Sequence, residues 1–375
     1  MKIAIVSNTT WNIVNFRLSL IKVLVEKGHK VLVISPRDRY VDVLEADGIQ
    51  HIDIYMDNKG NSPLRDLRTL ASFFSCYSRN RFDLVLHYTI KPVIYGGLVS
   101  RVLGVPYIST ITGLGTVFIR ESLITRLVHS LYRISQKRAS KVFFQNRDDM
   151  ALFLHHGMVG SHLAAIVPGS GINTDYFCCS SASINEDGFV FLLVARMLRD
   201  KGVYEFVEAA RAVRAKYSRI RFQLLGPVDV ENNTAIPQKT IDKWCAEGVV
   251  EYHPTVDDVR PFLQSATCVV LPSYREGLPR TLLEAAAMGK PLIATDTPGC
   301  RDVVLDGVNG YLCRVADVTD LAEKMELIIN LSLSERQEMG KRGREKVKRN
   351  FEEKIVIEKY LDVIDSILND TPKHS

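Results

Sequence analysis

The sequence predicts an α/β protein built from two doubly wound domains, each a parallel sheet with helices on both faces. Three observations predict it. Short apolar runs of strand length alternate with helix-period segments, the pattern of successive βαβ units. The alternation pauses once, in a polar small-residue stretch at 178–188 that opens Cys178-Cys179-Ser180-Ser181-Ala182-Ser183, and then restarts. The length, 375 residues, suits two domains.

Taken in order, the first strand is 2–6, read KIAIV. A helical pattern at 16–26 follows, closed by Gly28, and further strands fall at 30–34, 83–87, 107–111 and 141–145. Their nearly unbroken apolar character fits strands buried on both faces. Beyond 188 the strands are 189–195, 221–225, 249–252, 268–271, 291–295 and 311–313, with a helix at 204–217. The segment 350–368 carries Ile357, Tyr360, Leu361, Ile364 and Leu368 on one helical stripe. It either closes the second domain or returns to the first. The domains expected are 1–180 and 185–350, and ligands in such folds bind beyond the carboxyl ends of the strands.

Composition narrows the class. Hydrophobic residues make up 46% and charged residues 24%, which sets aside disordered, collagen-like and coiled-coil chains. A net charge of +5 neither requires nor excludes nucleic acid. The seven cysteines are odd in number and contain no Cys-x-x-Cys, which argues against a disulfide framework or zinc site and for a reducing compartment. The chain opens on a strand instead of a signal peptide. No apolar run reaches the roughly 18 residues a spanning helix needs. A cytoplasmic protein is expected, touching membrane only peripherally.

Several motifs are absent: a Walker loop, the Rossmann glycine fingerprint, Gly-x-Ser-x-Gly, His-Glu-x-x-His and Asp-x-Asp. Without the last, cationic side chains become the candidates for holding a nucleotide diphosphate. The most informative stretch runs from Pro272 to Pro291. A strand ends at Leu271, a Ser/Gly/Pro loop follows, and a helix is expected over 279–288, with Pro279 at its first position and Gly289 beyond its end. Its N-terminus offers free N–H groups to an anion. Glu276 sits in the loop and Glu284 more than one turn inside the helix, a pair able to grip two hydroxyl-bearing parts of one ligand. In the second constellation, Arg196 and Lys201 follow the strand that ends at Ala195. One presents a planar fork and the other a compact charge to phosphate oxygens.

These residues resemble the large retaining nucleotide-sugar glycosyltransferase family four, which has the GT-B fold of two Rossmann-like domains facing across a cleft. Glu276 and Glu284 match its Glu-x7-Glu signature, Arg196 and Lys201 its diphosphate-binding pair, and Pro168 to Phe177 its interdomain segment. The resemblance implies that Glu276 lies by the donor hexose, that Glu284 binds the ribose hydroxyls, and that the backbone of Gly277 and Leu278 touches sugar and phosphates. It also implies a UDP-sugar donor, retention of anomeric configuration, no metal or other cofactor, and a C-terminal helix, 351–375, packing back on the first domain. Arg196, Lys201 and Glu276 are then the catalytic set.

The N-terminal half resembles transferases that extend undecaprenyl-diphosphate-linked saccharides for O-antigen, lipopolysaccharide, capsule and related bacterial surface glycans. The residues that carry this are Asn15-Phe16-Arg17, Tyr88-Thr89-Ile90-Lys91-Pro92 and Thr110-Ile111-Thr112-Gly113-Leu114-Gly115. It implies acceptor binding by Arg17, Lys91, Thr112, Gly113 and Gly115; the plain alternatives are a helix-surface cation, a loop cation and a turn. Many relatives carry His where this chain has Thr112, so no catalytic His transfers. His87 is either a strand-end structural group or an acceptor contact, and His155-His156 fits a helix C-terminus. The segment 122–138 is amphipathic, with Leu123, Leu127, Leu131 and Ile134 on one side and Arg126, Arg133 and Lys137 on another. That suits an anionic membrane surface, or a core-facing helix with a solvated edge. The basic run 341–349 reads as a solvated helix face, and nucleic acid is not an expected partner. The reading is a retaining hexosyltransferase using a hexose or N-acetylhexosamine donor. Its competitors are a non-catalytic sugar-nucleotide-binding partner and a two-domain epimerase or phosphorylase.

Overall fold

The computed structural model describes residues 1–57, 62–114, 123–178, 188–228 and 232–370. They divide into two compact units, one of Met1–Gly171 with the chain from Glu353 onward, the other of Ile172–Glu352.

The first unit alternates β1 (Lys2–Val6), α1 (Thr10–Glu26), β2 (Lys30–Ser35), α2 (Val41–Ala46), β3 (Gln50–Asp53), α3 (Pro63–Asn80), β4 (Leu84–Tyr88), α4 (Gly97–Leu103), β5 (Tyr107–Ile111), α5 (Leu123–Gln136), β6 (Lys141–Phe144), α6 (Arg147–His155) and β7 (Ala164–Ile166). The seven strands form one sheet in the order β3-β2-β1-β4-β5-β6-β7, every pairing parallel. Alternation along β1 shows why both faces need helices. Ala4 and Val6 join Phe73 and Tyr77 of α3 in one core, while Ile3 and Ile5 join Ile13 and Leu20 of α1 in another.

The second unit runs β8 (Phe189–Val194), α7 (Val203–Lys216), β9 (Ile220–Leu225), α8 (Gln238–Ala246), β10 (Glu251–His253), α9 (Arg260–Ser265), β11 (Cys268–Leu271), α10 (Arg280–Ala287), β12 (Leu292–Thr295), α11 (Cys300–Val303), β13 (Gly310–Cys313), α12 (Val318–Asn330) and α13 (Leu333–Asn350). Its six strands are again all parallel, ordered β10-β9-β8-β11-β12-β13. Phe191 and Leu193 pack with Phe206 and Val207 of α7 on one face, Leu192 with Leu282 and Leu283 of α10 on the other. The two parallel doubly wound sheets are the fold class the sequence predicts.

Boundaries moved where side chains, not periodicity, set them. Helix α1 starts at Thr10 instead of 16, because the Thr9 side chain accepts from Asn12 N and Asp38 Oδ2 accepts from Thr10 N at 2.8 Å and Trp11 N at 3.1 Å. Pro279 is the N-cap of α10, with extended ψ of 112°, and Arg280 is the first helical residue. The expected break near residue 180 falls instead at Gly171–Ile172. Ile172 N donates to Phe351 O at 2.9 Å, and Glu352 Oε2 accepts from Thr174 Oγ1 at 2.7 Å, so 172–178 belong to the second unit.

The last helix, α14 (Glu353–Asp370), lies in the first unit. Its Val356, Tyr360 and Ile364 are buried with Ile3, Ile5 and Tyr88. Tyr360 Oη and Thr110 Oγ1 are 2.6 Å apart, and Lys359 Nζ donates to Ile166 O at 2.9 Å. Each such fully buried large side chain contributes about 1.5–3 kcal/mol. Gly171 makes room for this return, because a Cβ there would lie 2.4 Å from Glu353 Cα. Among the described residues no helix is long and apolar enough to cross a membrane.

Candidate active site

In the second sheet β8 and β11 are neighbours, with Cys268 beside Phe191 and Val269 beside Leu192. From β8 the chain winds to β9 and β10; from β11 it winds the other way, to β12 and β13. The crossovers therefore diverge, and the loops beyond the carboxyl ends of β8 and β11 form a crevice between them. The loops touch directly. Gly202 has φ +72°, and a Cβ on it would lie 2.1 Å from Pro272 O. Tyr274 N donates to Asp200 O at 2.9 Å. Thr281 Oγ1 donates to Val194 O at 3.2 Å, holding the first turn of α10 beside the end of β8.

The charged side chains follow from this frame. Lys201 Nζ lies 2.5 Å from Glu276 Oε1, with 21% and 12% of their side-chain surfaces exposed. Such a half-hidden pair persists because removing either partner strands the other charge in low dielectric. Arg280 Nε donates to Glu284 Oε1 at 2.8 Å one turn along α10. Burial pushes the Glu284 carboxyl above its ordinary range, and the Arg280 guanidinium works against that shift. Arg196 is exposed, and no carboxylate among the described residues pairs with it. Gly277 is buried and Leu278 half-buried. Gly299, at φ +79°, closes on this loop, since a Cβ there would meet Gly277 O at 2.4 Å. The N-cap of α10 makes no side-chain capping hydrogen bond, unlike that of α1, where Thr9 caps the helix and Asp38 accepts from its first two N–H groups.

One site thus gathers a cationic pair, two carboxylates and a helix N-terminus without a side-chain cap, a set able to hold a diphosphate and hydroxyl groups together. The residues 180–346 match the family model described as glycosyl transferases group 1, and residues 2–146 match glycosyl transferase 4-like. The chain is a glycosyltransferase, matched by one such family model in each unit. A relative in Campylobacter jejuni, N,N'-diacetylbacillosaminyl-diphospho-undecaprenol α-1,3-N-acetylgalactosaminyltransferase, is 26% identical over 98% of this chain and 99% of its own. The Escherichia coli UDP-Gal:α-D-GlcNAc-diphosphoundecaprenol α-1,3-galactosyltransferase is 22% identical over 82% of each chain. The structure is similar to that of Anabaena HepE, solved in complex with UDP and glucose, with a TM-score of 0.77, 17% identity, and coverage of 98% of this chain and all of that one. At that identity the likeness speaks for the GT-B fold alone.

In the glycosyltransferase, three groups near this site were not assigned from sequence. Arg280 holds Glu284. Tyr274 Oη donates to Glu205 Oε1 at 2.7 Å, anchoring the loop before Glu276 on α7. Cys300 is buried near Glu276, and burial first and the carboxylate second push its thiol up to about 12, leaving it protonated. Arg280 and Tyr274 lay within the stretch the sequence singled out and Cys300 did not, but the contacts of Tyr274 and Cys300 depend on chain brought together across the fold.

The first unit of the glycosyltransferase has its own switch point, between β1 and β4. Arg17 is 4% exposed, its guanidinium 4.2 Å from the Tyr88 ring centroid, and its Nε has no hydrogen-bond partner among the described residues. It is not the helix-surface cation of the alternative reading. Lys91 Nζ is paired with Asp66 at 2.6 Å, and Asp57 is 3.9 Å away, so it is not a solvated loop cation either. Between them Thr89 takes φ +66°, a strained conformation for a β-branched residue, just before a π-helical turn at Pro92–Gly96. Thr112 and Gly113 (φ +121°) are half-buried beyond β5, and Gly115 lies outside the described residues. His87 is a core group: it is fully buried, 3.0 Å from Tyr77 Oη and packed on Gly96, and burial depresses it to about 3. Arg133 donates to His156 O and Gly157 O at the end of α6.

Proposed function

We propose that the glycosyltransferase moves a hexose or N-acetylhexosamine from a UDP-sugar to an undecaprenyl-diphosphate-linked saccharide in bacterial surface-glycan assembly, with retention at the anomeric carbon. The observation that carries the donor half is the Lys201–Glu276 pair spanning the β8–β11 switch point beside the uncapped start of α10. Both relatives named above carry diphospho-undecaprenol in their names, which supports the acceptor class.

In this reading Arg196 and Lys201 hold the donor diphosphate, the N–H groups of Gly277 and Leu278 meet sugar and phosphate, and Glu284 accepts hydrogen bonds from the ribose hydroxyls. Glu276 stands by the hexose and releases part of its hold on Lys201 when phosphate arrives. The anomeric carbon–phosphate bond breaks while the acceptor hydroxyl attacks from the same face, and its proton passes to the departing phosphate. The two cations stabilise the charge that develops on that diphosphate and act without a metal. Arg17, Lys91, Thr112, Gly113 and Gly115 serve the acceptor from the first unit, and the protein meets the membrane peripherally at its inner face.

A panel of UDP-sugars offered with a short-chain polyprenyl-diphosphate sugar, read by mass spectrometry, tests this. A product heavier by one sugar for at least one donor supports it. Epimerised donor in the absence of acceptor, or donor binding with no transfer to any acceptor, overturns it.

A further inference from the structure

The buried face of α1 is formed by Thr10, Ile13, Arg17, Leu20, Ile21 and Leu24. Arg17 is the one charged residue in that row. It is 4% exposed, and its guanidinium rests 4.2 Å from the centroid of the Tyr88 ring. Among the described residues its Nε has no hydrogen-bond partner, and no carboxylate pairs with it. A guanidinium taken out of water needs an anion or a set of acceptors, and a ring face supplies only part of that. Other enclosed cations of this chain are satisfied. Arg344 donates to Phe177 O, Ala287 O and Thr174 O. Lys91 Nζ lies 2.6 Å from Asp66 Oδ1 and 3.9 Å from Asp57 Oδ2.

The place of Arg17 in the fold says what chemistry would complete it. Tyr88 is the last residue of β4, at the switch point where β1 leads on to β2 and β4 to β5. The next residue, Thr89, takes φ +66° and donates its hydroxyl to Tyr88 O at 2.5 Å. A helical run then covers 90–103 and includes the π-helical turn at Pro92–Gly96. No side chain caps the entry to that turn, and Pro92 brings no N–H of its own. The positive end of the run's dipole thus lies within two residues of Tyr88, the residue over which Arg17 sits. Acids of the neighbouring loops are engaged otherwise. Asp66 and Asp57 face Lys91, and Asp38 accepts from the first N–H groups of α1.

We infer that Arg17 and the entry of the 90–103 run form a phosphate-binding site at the switch point of the first unit, built from other residues than Arg196 and Lys201. The guanidinium keeps its face on Tyr88 and gives its edge N–H groups to two phosphate oxygens, the bidentate geometry that suits Arg. Lys91 is not part of this site, because between two carboxylates it offers phosphate no net positive charge. The inference rests on the lipid-linked acceptor proposed above and sharpens it, since that reading gives Arg17 and Lys91 one shared role. The ligand is a phosphoryl group, carried on a polyprenyl lipid or free as inorganic diphosphate. Stability separates a phosphate-binding arginine from a structural one. Without ligand its charge is desolvated and only partly compensated, so an apolar side chain of similar length raises stability while binding is lost.

The test is calorimetric titration of the full chain, saturated with UDP, with inorganic pyrophosphate, farnesyl diphosphate and farnesol. The wild type should bind at least one of the two diphosphates and ignore farnesol. Equal affinity for both diphosphates assigns the site to the free anion, and tighter binding of farnesyl diphosphate assigns it to the lipid-carried group; either upholds the inference. Arg17→Met should lower diphosphate affinity about tenfold or more, and Arg17→Lys should lower it less. In urea without diphosphate, Arg17→Met should unfold at a higher midpoint than the wild type. Lys91→Met, which leaves Asp57 and Asp66 without their shared cation, should unfold at a lower one. Unchanged UDP affinity shows that the variants fold. Wild-type diphosphate affinity in Arg17→Met overturns the inference, as does a lowered urea midpoint in that variant. So does a wild type that binds neither diphosphate, or binds farnesol as tightly as farnesyl diphosphate. Diphosphate binding lost in Arg17→Met, with no transfer by the wild type to any acceptor, upholds the site and overturns the functional reading instead.

Discussion

Lys201 and Glu276 are 75 positions apart in the chain and 2.5 Å apart in space. Lys201→Met would leave Glu276 charged and mostly hidden, so we expect a loss of about 2 kcal/mol by urea unfolding, below the full cost of a deeply buried pair because both groups keep some solvent. Turnover should fall about a hundredfold, as when a transition-state charge loses its partner. Glu284 presents a second charge problem. Burial raises its pKa and Arg280 lowers it, so Arg280→Met should raise it further. The ionised form would then need a higher pH, and UDP affinity should fade at a higher pH in the variant than in the wild type. Calorimetric titration of UDP between pH 5.5 and 8.5 reads this. An unchanged profile would remove Arg280 from the donor site. His87 gives a third expectation. Its folded pKa, about 3, lies below the usual 6.5, so the unfolded chain binds the extra proton. Stability present above about pH 6.5 is lost as pH falls, by about 1.4 kcal/mol per unit from this group alone. The unfolding midpoint should drop from pH 7 to pH 5, and His87→Gln should flatten that slope.

At the scale of elements, close helix contacts position the donor side. Helix α13 crosses the end of α10 at Gly340, where a Cβ would stand 1.8 Å from Gly289 O. Arg344 of α13 donates to Ala287 O and to Thr174 O, tying α10 to the segment where the chain enters the unit. This is why part of the basic run at 341–349 is not a solvated face. Gly340→Ala has only backbone to displace, so it should cost about 2 kcal/mol or more and weaken UDP binding by tilting α10. Differential scanning calorimetry with and without UDP separates the two effects. The short edge strands β3, β7 and β10 were not legible, or only roughly so, because their residues are half-exposed and lack the apolar runs that marked the central strands. Hydrogen bonding to a neighbour, not burial, makes them strands.

For the whole molecule, the two units carry different halves of the proposed chemistry. The second offers a helix N-terminus without a side-chain cap and cations; the first has its leading helix capped by Thr9 and Asp38, and a buried Arg17 over Tyr88. If Arg196 and Lys201 neutralise the diphosphate, turnover should be unchanged after exhaustive EDTA treatment, and a strict need for added divalent ions would assign that role elsewhere. Glu276, Glu284, Arg196 and Lys201 were all legible as candidates, since each sits at a fixed offset from a strand or glycine. That Lys201 pairs with Glu276, and Arg280 with Glu284, was not.

The sequence by itself determined the central strands, the doubly wound class and the loops that bear charge, because period, caps and glycines act over a few residues. Tertiary structure alone decided which charges meet, where the chain passes between units and that Arg17 and His87 are enclosed. Those outcomes depend on strand order, which brings crossovers dozens of residues apart into contact, and no local pattern encodes the distance between them.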